Sequence, residues 1–439
     1  MRIAYLAAGA AGMYCGSCLH DNTLAAAMQR LGEDAVLVPT YTPLRTDEPS
    51  VAGPRVFVGG VSAYLRQAIP AWRRAPRWVD RLLDQPWLLR LATRGGGSVD
   101  PAQLGGLTVS MLRGAGGAQA SQLPPLVEWL ARDFRPEVVH LSNTMLLGMA
   151  APIAEATGAA VVVSLSGEDG FLDRLAEPHR GEALRLVREH AARVDALVAM
   201  NAAYADRMAG YLNIDRERIA VVPHGVNAER FPPRDHTQPP NGTLRVGHLA
   251  RVTPGKGLDV LVEACESLAR TRPDLRFDLD AAGYLGPADR EYLARVTDRA
   301  DRGPLAGRFR YHGELDFDGK VEFLRSLDLF ATPTASPEAK GLPAIEAMAA
   351  GAPCVLPEHG GFPELIAAAG GGVTHAPGDA ADLAAQMERL LDDAPLRRRL
   401  GEAAAAGVRN AGYTAERMAE RTRDLYRRVV ERRRPVSGG

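Results

Sequence analysis

Cysteine is scarce, at four residues in 439, which excludes a fold stapled by disulfides and is the density of a reducing compartment. Long apolar runs are missing too, and no stretch approaches the roughly 20 uninterrupted apolar residues that span a bilayer. Met1-Arg2-Ile3-Ala4-Tyr5-Leu6-Ala7 is too short an apolar run for an export signal before glycines interrupt it. The expectation is a soluble, cytoplasmic protein. Neither sign of charge dominates: 52 basic and 53 acidic side chains leave a formal charge of -1. That balance argues against wholesale binding of a nucleic-acid backbone, which needs a net basic surface. The ten histidines show no metal-ligand spacing such as His-Glu-x-x-His, so no metal centre is expected.

What is present is a composition that folds. Hydrophobic residues make up 46% and charged residues 24%, and at about 150 residues per domain the length implies two to three domains. The 45 glycines and 31 prolines point to many turns. Short β-branched runs alternate with helical patterns along the whole chain. Candidate strands are Arg2 to Ala7, Ala35 to Val38, Glu137 to Leu141, Ala159 to Leu165, Ala196 to Met200 and Ile219 to Val222. A second series follows at Leu244 to Leu249, Phe277 to Ala281, Phe309 to His312, Leu329 to Thr332 and Cys354 to Leu356. Runs such as Ala159-Ala160-Val161-Val162-Val163 are apolar on both faces, as strands of a covered parallel sheet must be. Leu258, Leu261, Val262, Cys265 and Leu268 form one helical stripe. The pattern predicts an α/β fold with parallel sheets.

Residues 230–243, with four prolines and no periodicity, read as a linker between two Rossmann-like domains, 1–229 and 244–412. A helical excursion is expected at about 62–115, and an Arg-rich helix at 413–439 with Met418, Leu425 and Val429 as its apolar stripe. Between Arg66 and Arg94 lie seven Arg, two Asp and the indoles of Trp72, Trp78 and Trp87. That composition suits peripheral contact with an anionic membrane. The plainer reading is a solvated excursion, since prolines at 70, 76 and 86 break any long amphipathic helix.

Two segments carry chemistry. Arg251-Val252-Thr253-Pro254-Gly255-Lys256-Gly257 joins a strand to a helix, a junction that offers free amides and a dipole to phosphate. Arg251 and Lys256 add two full charges there; solvated bases at an ordinary helix start are the alternative. Glu338 and Glu346 stand eight residues apart around Gly341-Leu342-Pro343, with proline suiting a first helical turn near 343. A carboxylate at the carboxyl end of an α/β sheet can accept from both hydroxyls of a ribose. Cys15-Gly16-Ser17-Cys18 at a helix start is compatible with thiol redox chemistry, or with a turn of small residues. Asp278 and Asp280 sit on a strand and read as structural, and neither they nor Asp316 and Asp318 read as metal sites.

The order and spacing of these motifs, with Glu346-Ala347-Met348-Ala349-Ala350-Gly351-Ala352-Pro353 and Gly360-Gly361-Phe362-Pro363-Glu364, resemble the family-4 glycosyltransferases of GT-B fold. Val222-Pro223-His224-Gly225-Val226-Asn227 is similar to a further segment of that family. The resemblance implies two Rossmann-like domains facing across a cleft and a retaining, metal-independent transfer of a sugar from a nucleoside diphosphate. No cofactor is implied beyond the nucleotide sugar, and the acceptor would be a small molecule, glycan or lipid. Arg251 and Lys256 match the pair on the donor diphosphate, Glu346 the ribose residue, and Glu338 the residue beside the donor sugar. The amides near Gly341 and Leu342 match contacts to that sugar or its phosphate, and Gly16 matches a glycine approaching the diphosphate. The C-terminal helix would cross back onto the first domain. On the acceptor side His140 is present, whereas Ser142 and Ser166-Gly167 replace family histidine positions, leaving Asn143, Glu168 and Asp169 as candidates. A nucleotide-sugar epimerase or hydrolase of the same fold, a thiol redox protein and a membrane-surface module are the alternatives.

Overall fold

The computed structural model describes residues 1–9, 16–53, 104–118, 120–235 and 242–433. Cys15 and the Arg66 to Arg94 segment lie outside the described residues. The chain divides into two compact units, Met1–Pro223 with Met418–Gly439, and His224–Arg417.

The first unit is built on six parallel strands: β1 (Arg2–Ala7), β2 (Asp34–Pro39), β3 (Val138–Leu141), β4 (Ala160–Ser164), β5 (Ala196–Ala199) and β6 (Ile219–Val221). Their order in the sheet is β2-β1-β3-β4-β5-β6. Every residue of β3, β4 and β5 is buried, which is why these runs carry no polar alternation. The Gly16–Arg30 helix follows β1, and the order reverses between β1 and β3. In the region read as an excursion, residues Gly105–Leu112 form a helix and 62–103 lie outside the described residues.

The second unit repeats the plan with β7 (Leu244–Leu249), β8 (Phe277–Ala282), β9 (Phe309–Tyr311), β10 (Leu329–Ala331), β11 (Cys354–Pro357) and β12 (Gly372–His375), ordered β12-β11-β10-β7-β8-β9. All its pairings are parallel as well. The predicted stripe is realised in the Leu258–Thr271 helix, where Leu258, Leu261, Val262, Cys265 and Leu268 are each no more than 1% exposed. Burying each of the leucines and the valine contributes about 1.5–3 kcal/mol. The reversal falls between β7 and β10, so the loops after these two strands flank the point where open α/β sheets bind ligands.

Two details differ from the reading of the sequence. Strand β12 was not anticipated. Residues 230–235, read as linker, are packed into the second unit. Phe231 is buried edge-on to Phe317, the Arg230 guanidinium stacks 3.5 Å from the Phe317 ring centre, and Arg234 pairs with Asp328 at 2.7 Å. The boundary between units falls at Pro223, and 236–241 lie outside the described residues. The last helix, Ala415–Arg433, belongs to the first unit from Met418 onward, burying Met418, Leu425, Tyr426 and Val429 there. Arg433 closes it with a 2.7 Å ion pair to Asp195 and hydrogen bonds to the Gly158 and Ala159 carbonyls. Among the described residues no helix is long and apolar enough to cross a membrane.

Candidate active site

At the carboxyl end of β7 the chain makes a short 3-10 turn, Pro254–Lys256, before the Leu258–Thr271 helix begins. Gly257 separates the two at φ 74°, and a Cβ there would lie 1.9 Å from the Pro333 carbonyl oxygen. Only glycine lets the two loops approach this closely. The Ala335 amide donates to the Gly255 carbonyl at 3.1 Å and binds the β7 loop to the β10 loop. Across that seam Lys256 Nζ meets Glu338 Oε2 at 2.7 Å. Arg251 is exposed and makes no hydrogen bond or ion pair among the described residues.

Glu338 stands on the loop ahead of the Leu342–Ala349 helix. Burial raises its carboxyl, but the Lys256 charge, the hydrogen bond to it, and Lys340 outweigh burial and hold it at about 2. The Lys340 amide also donates to Glu338 Oε1, at 3.3 Å. The Gly360-Gly361 turn buttresses this loop from the far side. Gly361 N donates to the Glu338 carbonyl at 3.0 Å, and a Cβ on Gly360, at φ 58°, would lie 2.4 Å from Glu338 N. The glycines of the Gly-Gly-Phe-Pro-Glu motif therefore act on the shape of the Glu338 loop.

The Leu342–Ala349 helix has no side-chain cap and carries Pro343 in its first turn. The Gly341 and Leu342 amides find no acceptor among the described residues, so this helix end presents open donors and a positive dipole. Glu346 lies one turn inside and is buried, with Oε1 2.6 Å from Lys320 Nζ. Arg251, Lys256, Glu338, Gly341, Leu342 and Glu346 thus all sit in the second unit, on the loops flanking its strand reversal and on the helix that follows the second of them. This side of the sheet carries the exposed Arg251, the Lys256–Glu338 ion pair and an uncapped helix end, with a carboxylate set into that helix.

Sequence reasoning passed over Lys320. Its signal was a lysine on the apolar face of the Phe317–Ser326 helix, at helix spacing from Phe317, Phe323 and Leu324, all buried.

In the first unit the remaining candidates have protein partners. His140 is buried between Ser164 Oγ, at 2.8 Å, and the Tyr426 hydroxyl, and burial lowers it to about 3. The Asn143 side chain caps the following 3-10 turn by accepting from Met145 N. Glu168 accepts from the amides of Thr144 and Ser166 at 3.0 and 2.7 Å. Asp169 takes the Tyr204 hydroxyl at 2.8 Å and Arg207 Nε at 2.6 Å. These bonds shape the loops after β3 and β4. Gly16 opens the Gly16–Arg30 helix after β1. Cys18 is buried, and burial pushes the thiols of Cys265 and Cys354 upward, away from reactive thiolate. Asp280 is fully buried and engaged by Arg245, Arg310 and His312 at 2.7–3.0 Å, a structural network across β7, β8 and β9.

Comparison with known proteins bears on the family and the fold. The profile of the glycosyl transferase 4-like domain matches residues 22–225, and that of glycosyl transferases group 1 matches 233–406. A D-inositol 3-phosphate glycosyltransferase of Streptomyces bingchenggensis is 29% identical over 314 residues, which cover 68% of this chain and 63% of that protein. Glycogen synthase of Mycobacterium tuberculosis is 28% identical over 282 residues, covering 62% of this chain and 64% of that protein. The chain therefore spans somewhat less than two thirds of the length of these curated relatives. Among solved structures, sucrose-phosphate synthase from Thermosynechococcus elongatus superposes with a TM-score of 0.69 at 17% identity, covering 98% of this chain and 100% of that one. Anabaena HepE in complex with UDP gives 0.67 at 17% identity, with the same coverage. Two tandem profile matches, two parallel six-stranded sheets and structural neighbours of one architecture converge: the chain belongs to the family-4-type glycosyltransferases of GT-B fold.

Proposed function

We propose that the protein is a retaining hexosyltransferase that moves a sugar from a nucleoside-diphosphate donor to a hydroxyl acceptor without a metal ion. The observation that carries this reading lies beside the β7–β10 reversal, where Lys256 pairs with Glu338 on the loop that leads into the open Gly341 and Leu342 amides. A leaving nucleoside diphosphate gains negative charge as the glycosidic bond breaks. Arg251, Lys256 and the helix end supply positive charge for it, which is the usual work of a divalent cation. Removal of one such preorganised donor typically costs on the order of 100- to 1000-fold in rate.

Glu338 fits a positioning and electrostatic role better than that of a base. A carboxylate held at about 2 takes up a proton poorly near neutrality. The acceptor hydroxyl would then deliver its proton to the leaving phosphate on the same face, which retains configuration at the anomeric carbon. Glu346 would accept from the ribose hydroxyls.

Thermal stabilisation by UDP, GDP, ADP and their sugars tests the reading, on wild type and on Arg251→Ala/Lys256→Ala. A ligand at 100 times its dissociation constant adds roughly 2.7 kcal/mol, a visible shift in melting temperature. One base is expected to shift wild type and not the variant, and the product anomer is expected to match the donor. No shift with any nucleotide would overturn the donor site.

A further inference from the structure

We propose that Lys320 is a positioning residue of the donor site, holding the Glu346 carboxylate ionised and in one orientation for the hydroxyls of a nucleotide ribose. This rests on the reading of Glu346 as the ribose acceptor and adds a residue that the motifs do not contain. The side chains of both partners are nearly out of solvent, 8% exposed for Lys320 and 7% for Glu346, with Nζ 2.6 Å from Oε1. An ionised carboxylate at that depth costs several kcal/mol unless a cation and hydrogen bonds compensate it. Lys320 supplies both.

The lysine is in turn held by its surroundings. Its Nζ lies 5.1 Å from the Phe317 ring centre and 5.7 Å from that of Phe231, within cation-π range of two rings that stand edge-on 5.4 Å apart. Phe231 is 1% exposed, so this wall is fixed by core packing. Three segments therefore meet around the Lys320 ammonium: the 230–235 segment through Phe231, the Phe317–Ser326 helix through Lys320 itself, and the Leu342–Ala349 helix through Glu346. Glu346 lies four residues past Leu342, whose open amide faces the same helix end as the proposed donor phosphate. A carboxylate whose plane is set before the ligand arrives loses less entropy on accepting two hydroxyls.

The role is separable from simple stability by changing the ligand as well as the protein. UDP, GDP and ADP would each be titrated by calorimetry against the 2′,3′-dideoxy counterpart, on wild type, Lys320→Met, Lys320→Arg and Glu346→Gln. Wild type is expected to prefer the ribonucleotide by on the order of tenfold or more, the worth of hydrogen bonds to a charged acceptor. In Lys320→Met that preference should collapse towards one while dideoxynucleotide affinity stays within about twofold; Lys320→Arg should recover part of it. Equal weakening of both ligands, or an unchanged preference, overturns the proposal. If Glu346→Gln keeps the full preference, the ribose reading of Glu346 fails first and takes the proposal with it. Should Lys320→Met not fold, Lys320→Gln retains a donor to Oε1 without the charge, and the same loss of preference is expected.

Discussion

Single side chains here are set by their neighbours more than by their type. His140 is a plain histidine in the sequence, yet Ser164 and Tyr426 enclose it and burial lowers it to about 3. His248, on β7 with Nδ1 donating to the Ala331 carbonyl, is lowered to about 4 for the same reason. Both folded values lie below the unfolded value of about 6.5, so neither affects stability above that pH. As pH falls below 6.5 the unfolded chain takes up protons that the folded chain refuses, and stability drops until the folded values are reached. Each histidine is expected to add up to about 1.4 kcal/mol per pH unit in that window. Urea unfolding from pH 7 to pH 4 should show the slope, and His140→Asn should reduce it. Glu338 acts in the same direction at lower pH: its depressed value stabilises the fold fully above about 4.3, and that contribution is lost as pH falls towards 2. Asp280→Asn would leave Arg245, Arg310 and His312 facing an amide, with an expected cost on the order of 2 kcal/mol in chemical unfolding.

Among the elements, the loops are the parts whose shape is most tightly specified. The β10 loop that carries Glu338 is short of regular structure, and it is held by the Gly360-Gly361 turn, by His359 Nε2 on the Thr334 carbonyl, and by Ala335 on Gly255. Gly360→Ala should therefore act on Glu338 through the backbone. A methyl 2.4 Å from Glu338 N and 2.6 Å from its carbonyl oxygen, on a residue at φ 58°, forces the loop to shift. The expected outcome is a loss on the order of 1–3 kcal/mol in stability, with weaker nucleotide binding and an unchanged far-ultraviolet spectrum. The strand preceding this site was legible residue by residue: Leu244 to Leu249 has the expected bounds because its burial follows from the apolar run. Strand β12 was not, since Gly370, Gly371 and Gly372 mask a four-residue edge strand that is only half-buried over Gly372, Val373 and Thr374.

For the whole molecule, the chain makes two parallel sheets and then returns to the first unit with its last helix. Tyr426 enters the core of that unit beside His140, whose ring centre is 5.7 Å away, and Arg427 adds a charge contact to Glu33. Ending the chain at Arg417 removes five buried apolar residues from that core, of which Met418, Leu425, Tyr426 and Val429 each contribute about 1.5–3 kcal/mol. The first unit is expected to lose its cooperative unfolding transition in calorimetry while the second keeps its own. A truncated protein with both transitions intact would refute a structural role for residues 418–433.

Strand and helix order, the two-fold repetition of the α/β plan and the glycine-bearing loops at the strand ends were determined by local sequence. Apolar runs bury on both faces, and periodicity and backbone sterics act over a few residues. Tertiary structure alone decided which charges and polar groups meet. Lys256 and Glu338 are 82 residues apart, Lys320 and Glu346 are 26, and His140 and Tyr426 are 286. Each pairing depends on strand order and helix packing, which bring distant segments to the same depth in the low-dielectric interior, where an unpaired charge is too costly to persist.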